Sequence, residues 1–361
     1  DRDSKQTARI VKWISLFNIA GFVWLDFAVF TDVSRRLIGF ASVTETVAII
    51  LFTCGGILYF TLRYGIRGFV FVDVFQVPMI ALGTLILLIG CIAAFLRAPH
   101  VLSIATLLTP KLPAGENVIF MLHVAIVNLF IGGMTEPHWL RVWIFRGKET
   151  KLQVRSLGFT VALSLMIIAI GVLGFVLTGD AKSGTVDIAA LLRKVSERSF
   201  VYPVAFWMAA MAALFSSADS QIYAWLIVKQ FDANDGRLRE REMESIKALP
   251  SSLAVVGTFA ALYVWMKLLN LPQEKLIFIL LPLSITTLPA FVRAVRGLPQ
   301  KPAYVIASLL AYVACSLWGL RQPSGQLIWN LAAVTLPLIT SVFAAIGKGE
   351  SHEALIAVEG N

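Results

Sequence analysis

The chain has 361 residues, of which 58% are hydrophobic and 15% charged, with a formal net charge of +9. A mean hydropathy of +0.78 excludes an ordinary soluble domain and leaves an all-α, polytopic membrane protein. The positive balance matches the excess of Lys and Arg that membrane proteins keep in cytoplasmic loops, so it implies a lipid bilayer and no nucleic-acid partner.

The polar stretch Asp1 to Lys12 carries no signal-peptide pattern, and the chain is expected to begin partway through a longer protein. About ten membrane spans follow, each near the ~20 residues that a bilayer requires. They are 13–31, 42–62, 69–96, 118–135, 157–178, 200–228, 251–269, 274–292, 303–320 and 325–347. Asn18 and Asp26 interrupt the first; the third and sixth are expected to run beyond the bilayer. With the amino terminus cytoplasmic, 20 of the 31 basic residues fall on inside segments, which places both ends of this chain in the cytoplasm. The transmembrane domain is therefore 1–347 and the cytoplasmic tail 348–361.

Between spans, Ala98 to Glu116 carries Pro99, Pro110 and Pro113 and reads as a loop. Glu136 to Arg155 mixes Trp139, Trp143 and Phe145 with basic residues, as in a helix lying on the membrane surface. Asp180 to Ser199 is expected to include an exposed helix, and Asp232 to Lys247 a short solvated one. Cys54, Cys91 and Cys315 lie in apolar stretches without metal-ligand or disulfide spacing. The four histidines are scattered and read as structural or surface residues.

Chemistry concentrates in Ser216-Ser217-Ala218-Asp219-Ser220, in the middle of the sixth span. An acid inside a span is costly and marks a functional site by default. Ala213, Ser216, Ser217 and Ser220 share one helix face, and Asp219 borders it. Oxygen ligands without Cys or His suit a small, hard cation. Small residues and serines also serve simply to let helices pack closely, and Asp219 tips the balance toward a cation or proton site. A second constellation opens the third span, where Arg63-Tyr64-Gly65-Ile66-Arg67-Gly68 forms a tight turn followed by Asp73 and, one turn later, Gln76. An acid can help start a helix at its positive end, but Asp73 lies deep for that role.

The two segments together resemble the sodium:solute symporter family, whose members carry a Gly-rich turn before Thr-Asp-x-x-Gln and, in a later span, a Ser-Ser/Thr-Ala-Asp-Ser-type segment. This chain has Val72-Asp73-Val74-Phe75-Gln76 and Ser216 to Ser220, with two spans intervening, as in the family. Glu136-Pro137-His138-Trp139-Leu140-Arg141 is similar to the family's Gln-Pro-His-x-x-x-Arg loop, with the Arg one residue early.

The resemblance implies the five-plus-five inverted-repeat, leucine-transporter-like fold, with ligand sites near the midplane at broken helices. It implies Na+ as coupling ion and a small-molecule solute as cargo. The principal sodium site would match Ala213, Ser216 and Ser217, and a second site, used by some members, would match Asp73 and Ser220 beside Asp219. An extra carboxyl at 219 would raise cation affinity or stay protonated through like-charge coupling, which leaves proton coupling open. Asn128 falls where some sugar-transporting relatives bind substrate; helix packing would explain it equally well. The third span would be the family's fifth core helix, so the chain lacks the first two core helices and reads as N-terminally incomplete. Asp26 receives no role from the resemblance and would face a water-filled cavity.

The expected function is sodium-coupled secondary active transport, or symport, of a small solute across the cytoplasmic membrane. An alternative is a symporter-like sensor domain of a larger histidine kinase, with a signalling module beyond Asn361. A third is a degenerate protein that does not transport. An enzyme is not expected: no nucleophile triad, metal-ligand pair or phosphate loop is present, and Gly147-Lys148 lacks a glycine-rich context.

Overall fold

The structure, a computed structural model, describes residues 2–38, 66–97, 150–178, 188–197, 199–230, 280–321 and 326–346, plus scattered positions within 44–56, 118–129 and 257–264. Among the described residues every element is helical: α1 Arg2–Ile38, α2 Ile66–Phe95, α3 Thr150–Thr178, α4 Ile188–Ser196, α5 Val201–Gln230, a 3-10 segment Leu281–Thr287, α6 Leu288–Val295, α7 Pro302–Arg321 and α8 Gln326–Ile346. Six of these are long and apolar enough to cross a membrane: the Arg2–Ala28 part of α1, Asp73–Phe95 of α2, Leu157–Thr178 of α3, Val201–Leu226 of α5, α7 and α8. The chain is thus a multi-pass membrane protein. The expected spans 42–62 and 251–269 fall mostly outside the described residues, as does the surface helix expected within Glu136 to Arg155, described only from Thr150; about half of 118–135 is described, all of it helical, with Val127 buried beside Ile285 and Val334. Cys54, the loop 98–116 and the segment 232–247 also lie outside them.

The apolar surface has the distribution that a lipid environment selects. Leu157, Leu165 and Ile168 of α3 are each at least 60% exposed, a state hydrocarbon tolerates and water does not. Helices whose backbone bonds are satisfied internally can present such faces to lipid. Pro78 inside α2 and Pro337 inside α8 fit the same setting, where neighbouring helices and side chains re-satisfy the freed backbone groups.

Helix α5 is the hub. It lies against α2 along a seam of small residues, and against α1 on an adjoining face. Gly83 of α2 sets the first distance, because a Cβ there would stand 2.5 Å from the Ala205 carbonyl oxygen and 2.7 Å from the Ala209 Cβ. Close backbone approach through small residues is how membrane helices gain van der Waals contact when lipid supplies no hydrophobic drive. The seam fixes register: Gly83 meets Ala205 and Ala209, and ten residues back Asp73 meets Ser216, so α2 and α5 are antiparallel. Helix α1 is likewise antiparallel to α5, since Lys12 Nζ donates to the Lys229 carbonyl at one end and Asp26 meets Ser217 higher up.

Two departures from expectation have simple causes. Helix α1 starts at Arg2 rather than near residue 13, because Arg, Lys and Gln are good helix formers even where hydropathy is low. The helix after residue 180 is packed, not exposed: Leu191, Leu192 and Val195 of α4 are buried with Leu87 and Cys91 of α2 and Leu177 of α3. Lys194 Nζ also donates to the Leu177 carbonyl at 2.8 Å, where a cation meets the negative end of α3.

The far end is a second packed unit. Ile14 of α1 meets Leu283, Val305, Tyr312, Cys315 and Ala333 in one cluster. The expected span 274–292 is described only from Leu280, and there it is a 3-10 segment running into α6. Gly297, at φ +64°, ends α6: Leu298 N donates to Arg293 O and Gly297 N to Ala294 O, the paired bonds of a Schellman motif.

Candidate functional site

The middle of α5 carries the polar cluster that the sequence singles out. Successive helix residues point about 100° apart, since 3.6 residues make a turn. Ser216 and Ser217 therefore reach two different neighbours. Ser216 Oγ donates to Asp73 Oδ1 of α2 at 3.2 Å, and Ser217 Oγ donates to Asp26 Oδ2 of α1 at 2.5 Å. Ser220 Oγ donates back to the Ser216 carbonyl at 2.9 Å and lies 3.4 Å from Asp219 Oδ1. Asp219 and Ser220 are buried, at 3% and 4% exposure, while Ser216, Ser217, Asp73 and Asp26 are half-buried.

The elements explain why these groups meet. The Gly83 seam brings α2 close enough to α5 for a short Asp side chain to span the gap. The Lys12–Lys229 contact at one end and the buried Trp24, Phe27 and Ala28 at the other hold α1 in register, so Asp26 arrives at Ser217. Ser217 lies about 18 Å along α5 from Lys229 at 1.5 Å per residue, near the middle of a ~30 Å hydrocarbon layer.

Two amide side chains flank the hydroxyls. Gln76 follows Asp73 by one turn and is 7% exposed. It shares a helix face with Gly83 and Leu87, and register carries it to the turn of α5 holding Ala212 and Ala213. Gln221 follows Ser217 by one turn. Among the described residues, the buried Oε1 atoms of Gln76 and Gln221 accept no hydrogen bond, and neither amide atom of Asn18 has a partner. Buried acceptors without donors are unusual in folded proteins.

Of the residues expected from sequence, Ser216, Ser217, Asp73, Asp219 and Ser220 gather within this region. Ala213 is exposed, on the turn before the two serines. Asn128 lies outside the described residues. Asp26, which sequence reasoning left without a role, joins the cluster through Ser217. Its one signal in sequence was an uncompensated acid inside an apolar run. Among the described residues, no three His, Cys, Asp or Glu side chains converge as a metal cluster. The carboxylates instead approach α5 separately, Asp26 from α1 and Asp73 from α2, each paired with one hydroxyl. Hydroxyl, carboxylate and amide oxygens in this dispersed form suit a weakly held, hard cation rather than zinc or another thiolate- or imidazole-loving metal.

No family model, no curated protein and no solved structure matches the chain.

Proposed function

We propose that this chain is the membrane core of a sodium-coupled symporter of the sodium:solute type, moving a small solute across the cytoplasmic membrane with both ends of the chain on the cytoplasmic side. One observation carries the reading: adjacent serines in the middle of α5 are each hydrogen-bonded to an intramembrane carboxylate from a different helix. Oxygen groups of this kind are expensive in hydrocarbon and persist where an ion or a proton is handled. Sodium is the ion of choice for the reading, with Ser216 and Ser217 as hydroxyl ligands, the Ala213 carbonyl beside them, and Asp73, Asp219 and Ser220 as a second group.

Coupling follows from geometry shared between helices. An ion that touches α2 and α5 together binds best when the two are closed around it. Its free energy of binding then favours that arrangement over one in which a helix has moved away. A solute that prefers the same arrangement binds more tightly when sodium is present, and sodium more tightly when the solute is present, by the same factor. Inward loss of sodium removes that advantage and releases the solute. The basic residues Lys12 and Lys229 at one end of the α1–α5 pair support a cytoplasmic assignment for that end.

The test is sodium exchange by the intact protein in proteoliposomes. Radioactive sodium should exchange across the bilayer only in vesicles holding the protein, and saturate with sodium concentration. A panel of labelled sugars, amino acids and carboxylates then identifies the solute, whose uptake should require an inward sodium gradient. Exchange no faster than in empty vesicles, with no gradient-driven uptake, sinks the reading.

A further inference from the structure

We infer that Asp26 of α1 is a direct carboxylate ligand of the cation held at Ser217, so that α1 is itself a wall of the ion site. The inference rests on the sodium reading above and adds a residue and a helix to it.

Three observations converge. Asp26 Oδ2 lies 2.5 Å from Ser217 Oγ, the shortest of the side-chain contacts on α5 in this region. The hydrogen bond brings the two side chains together, and the second carboxylate oxygen of Asp26 and the free lone pairs of the Ser217 hydroxyl remain able to face a cation. Secondly, two buried amide oxygens on α2 and α5 have no donor among the described residues. Gln221 Oε1 follows Ser217 on α5, and Gln76 Oε1 sits on the stripe of α2 that packs against α5. Gln76 is more than nine-tenths buried, and the α2–α5 register places it level with the turn just before the serines. Buried amide oxygens are acceptors that a hard cation can use. Thirdly, the neighbours of Asp26 on α1 are apolar and packed: Val23, Trp24, Leu25, Phe27 and Ala28 are all buried. That surround makes an isolated carboxylate costly and a compensating cation favourable.

The consequence is mechanical. A cation bridging Asp26 and Ser217 fastens α1 to α5, while Asp73 and Ser216 fasten α2 to the adjoining face. Movement of α1 along α5 would dismantle the Asp26 half of the site first and leave the Asp73 half intact. The two carboxylates therefore make separable contributions to ion affinity.

The experiment is equilibrium binding of radioactive sodium to the purified full-length protein, with the wild type, Asp26→Asn, Asp26→Glu, Ser217→Ala and the double variant Asp26→Asn/Ser217→Ala. Asp26→Asn keeps an oxygen acceptor for the Ser217 hydroxyl and removes only the charge, so a purely structural role leaves binding unchanged. The inference predicts a loss of sodium affinity of about tenfold or more in Asp26→Asn, with little further loss in the double variant. Asp26→Glu should retain binding but change the preference between Na+ and Li+, because the oxygen is carried one methylene outward. Wild-type affinity in Asp26→Asn overturns the inference. Should Asp26→Asn fail to give monodisperse protein, an unaltered Na+/Li+ preference in Asp26→Glu overturns it equally. A wild-type protein with no saturable sodium binding removes the symport reading and the inference together, whereas a binding wild type with an equally binding Asp26→Asn removes the inference alone.

Discussion

Gly83 of α2 and Ala205 of α5 are in backbone contact: a Cβ atom on Gly83 would stand 2.5 Å from the Ala205 carbonyl oxygen. No side chain can be admitted there unless the two helices separate. The same two helices bring Asp73 to Ser216 at 3.2 Å, so a packing change at residue 83 should be felt at the ion site. Gly83→Leu is expected to lower the thermal unfolding midpoint, with overpacking costing about 1–3 kcal/mol, and to weaken sodium binding without touching a ligand. Thermal melts and sodium titrations on the purified variant check both. Wild-type values in each would show that the seam yields freely.

Asn18 offers a test of a different kind. It is 1% exposed, and its amide atoms have no hydrogen-bond partner among the described residues. Replacing an unsatisfied buried polar group by an apolar one of similar shape is near neutral or stabilising. Asn18→Leu should therefore hold or raise the melting midpoint, with a gain in stability of up to about 3 kcal/mol. A marked drop in midpoint would mean that the amide is paired in the folded protein, with a water or with a segment outside the described residues.

Arg293 ties the end of α6 to the end of α8. It is buried at 1% exposure; its Nε donates to the Pro299 carbonyl at 2.6 Å and Nη1 to the Ala344 carbonyl at 2.7 Å. The guanidinium also lies 5.4 Å from the Tyr304 ring centroid. It thus caps the last turn of α8, where carbonyls have no partner within the helix. Arg293→Ala should cost about 3 kcal/mol, from two hydrogen bonds to a charged group at roughly 1.5 kcal/mol each. Arg293→Lys should fail to rescue it, because a single ammonium cannot reproduce the guanidinium fork. Arg296 donates to the Ala345 carbonyl at 2.7 Å from an exposed position, so Arg296→Ala should cost far less, about 0.3–1 kcal/mol. Comparative melts of the three variants check the ranking.

Much of the fold could be read from the chain because hydrocarbon thickness dictates the length of apolar runs. The expected spans 69–96, 157–178, 200–228, 303–320 and 325–347 correspond to α2, α3, α5, α7 and α8, whose ends differ mostly where polar residues extend the helix. Hydropathy has no access to such extensions, which is why residues 2–12 of α1 and the Thr150 start of α3 lie outside the expected spans. Helix α4 illustrates a second limit. Leu191, Leu192 and Val195 mark an apolar face, but only the neighbouring Leu87, Cys91 and Leu177 turn that face into buried core.

The candidate site was legible in part for the same reason. Ser216, Ser217, Asp219 and Ser220 declare themselves through helical spacing within one span. Asp26 does not, because the partner that gives it meaning, Ser217, is 191 residues away and no local pattern encodes that pairing. Pairing across that distance depends on α1 and α5 being antiparallel with Lys12 against Lys229, a fact of packing rather than of sequence. Ala213 shows the converse: it shares the helix face of the serines by spacing, yet its side chain is exposed.

The central claim is that the oxygen cluster on α5 binds sodium, and the most direct measurement is a saturation isotherm for radioactive sodium on the intact protein in nanodiscs, beside Ser217→Ala and Asp73→Asn. The account predicts saturable binding by the wild type, displaced by excess unlabelled sodium and not by potassium, and weakened about tenfold or more in each variant. Binding that is absent in the wild type, or equally strong in both variants, would contradict it.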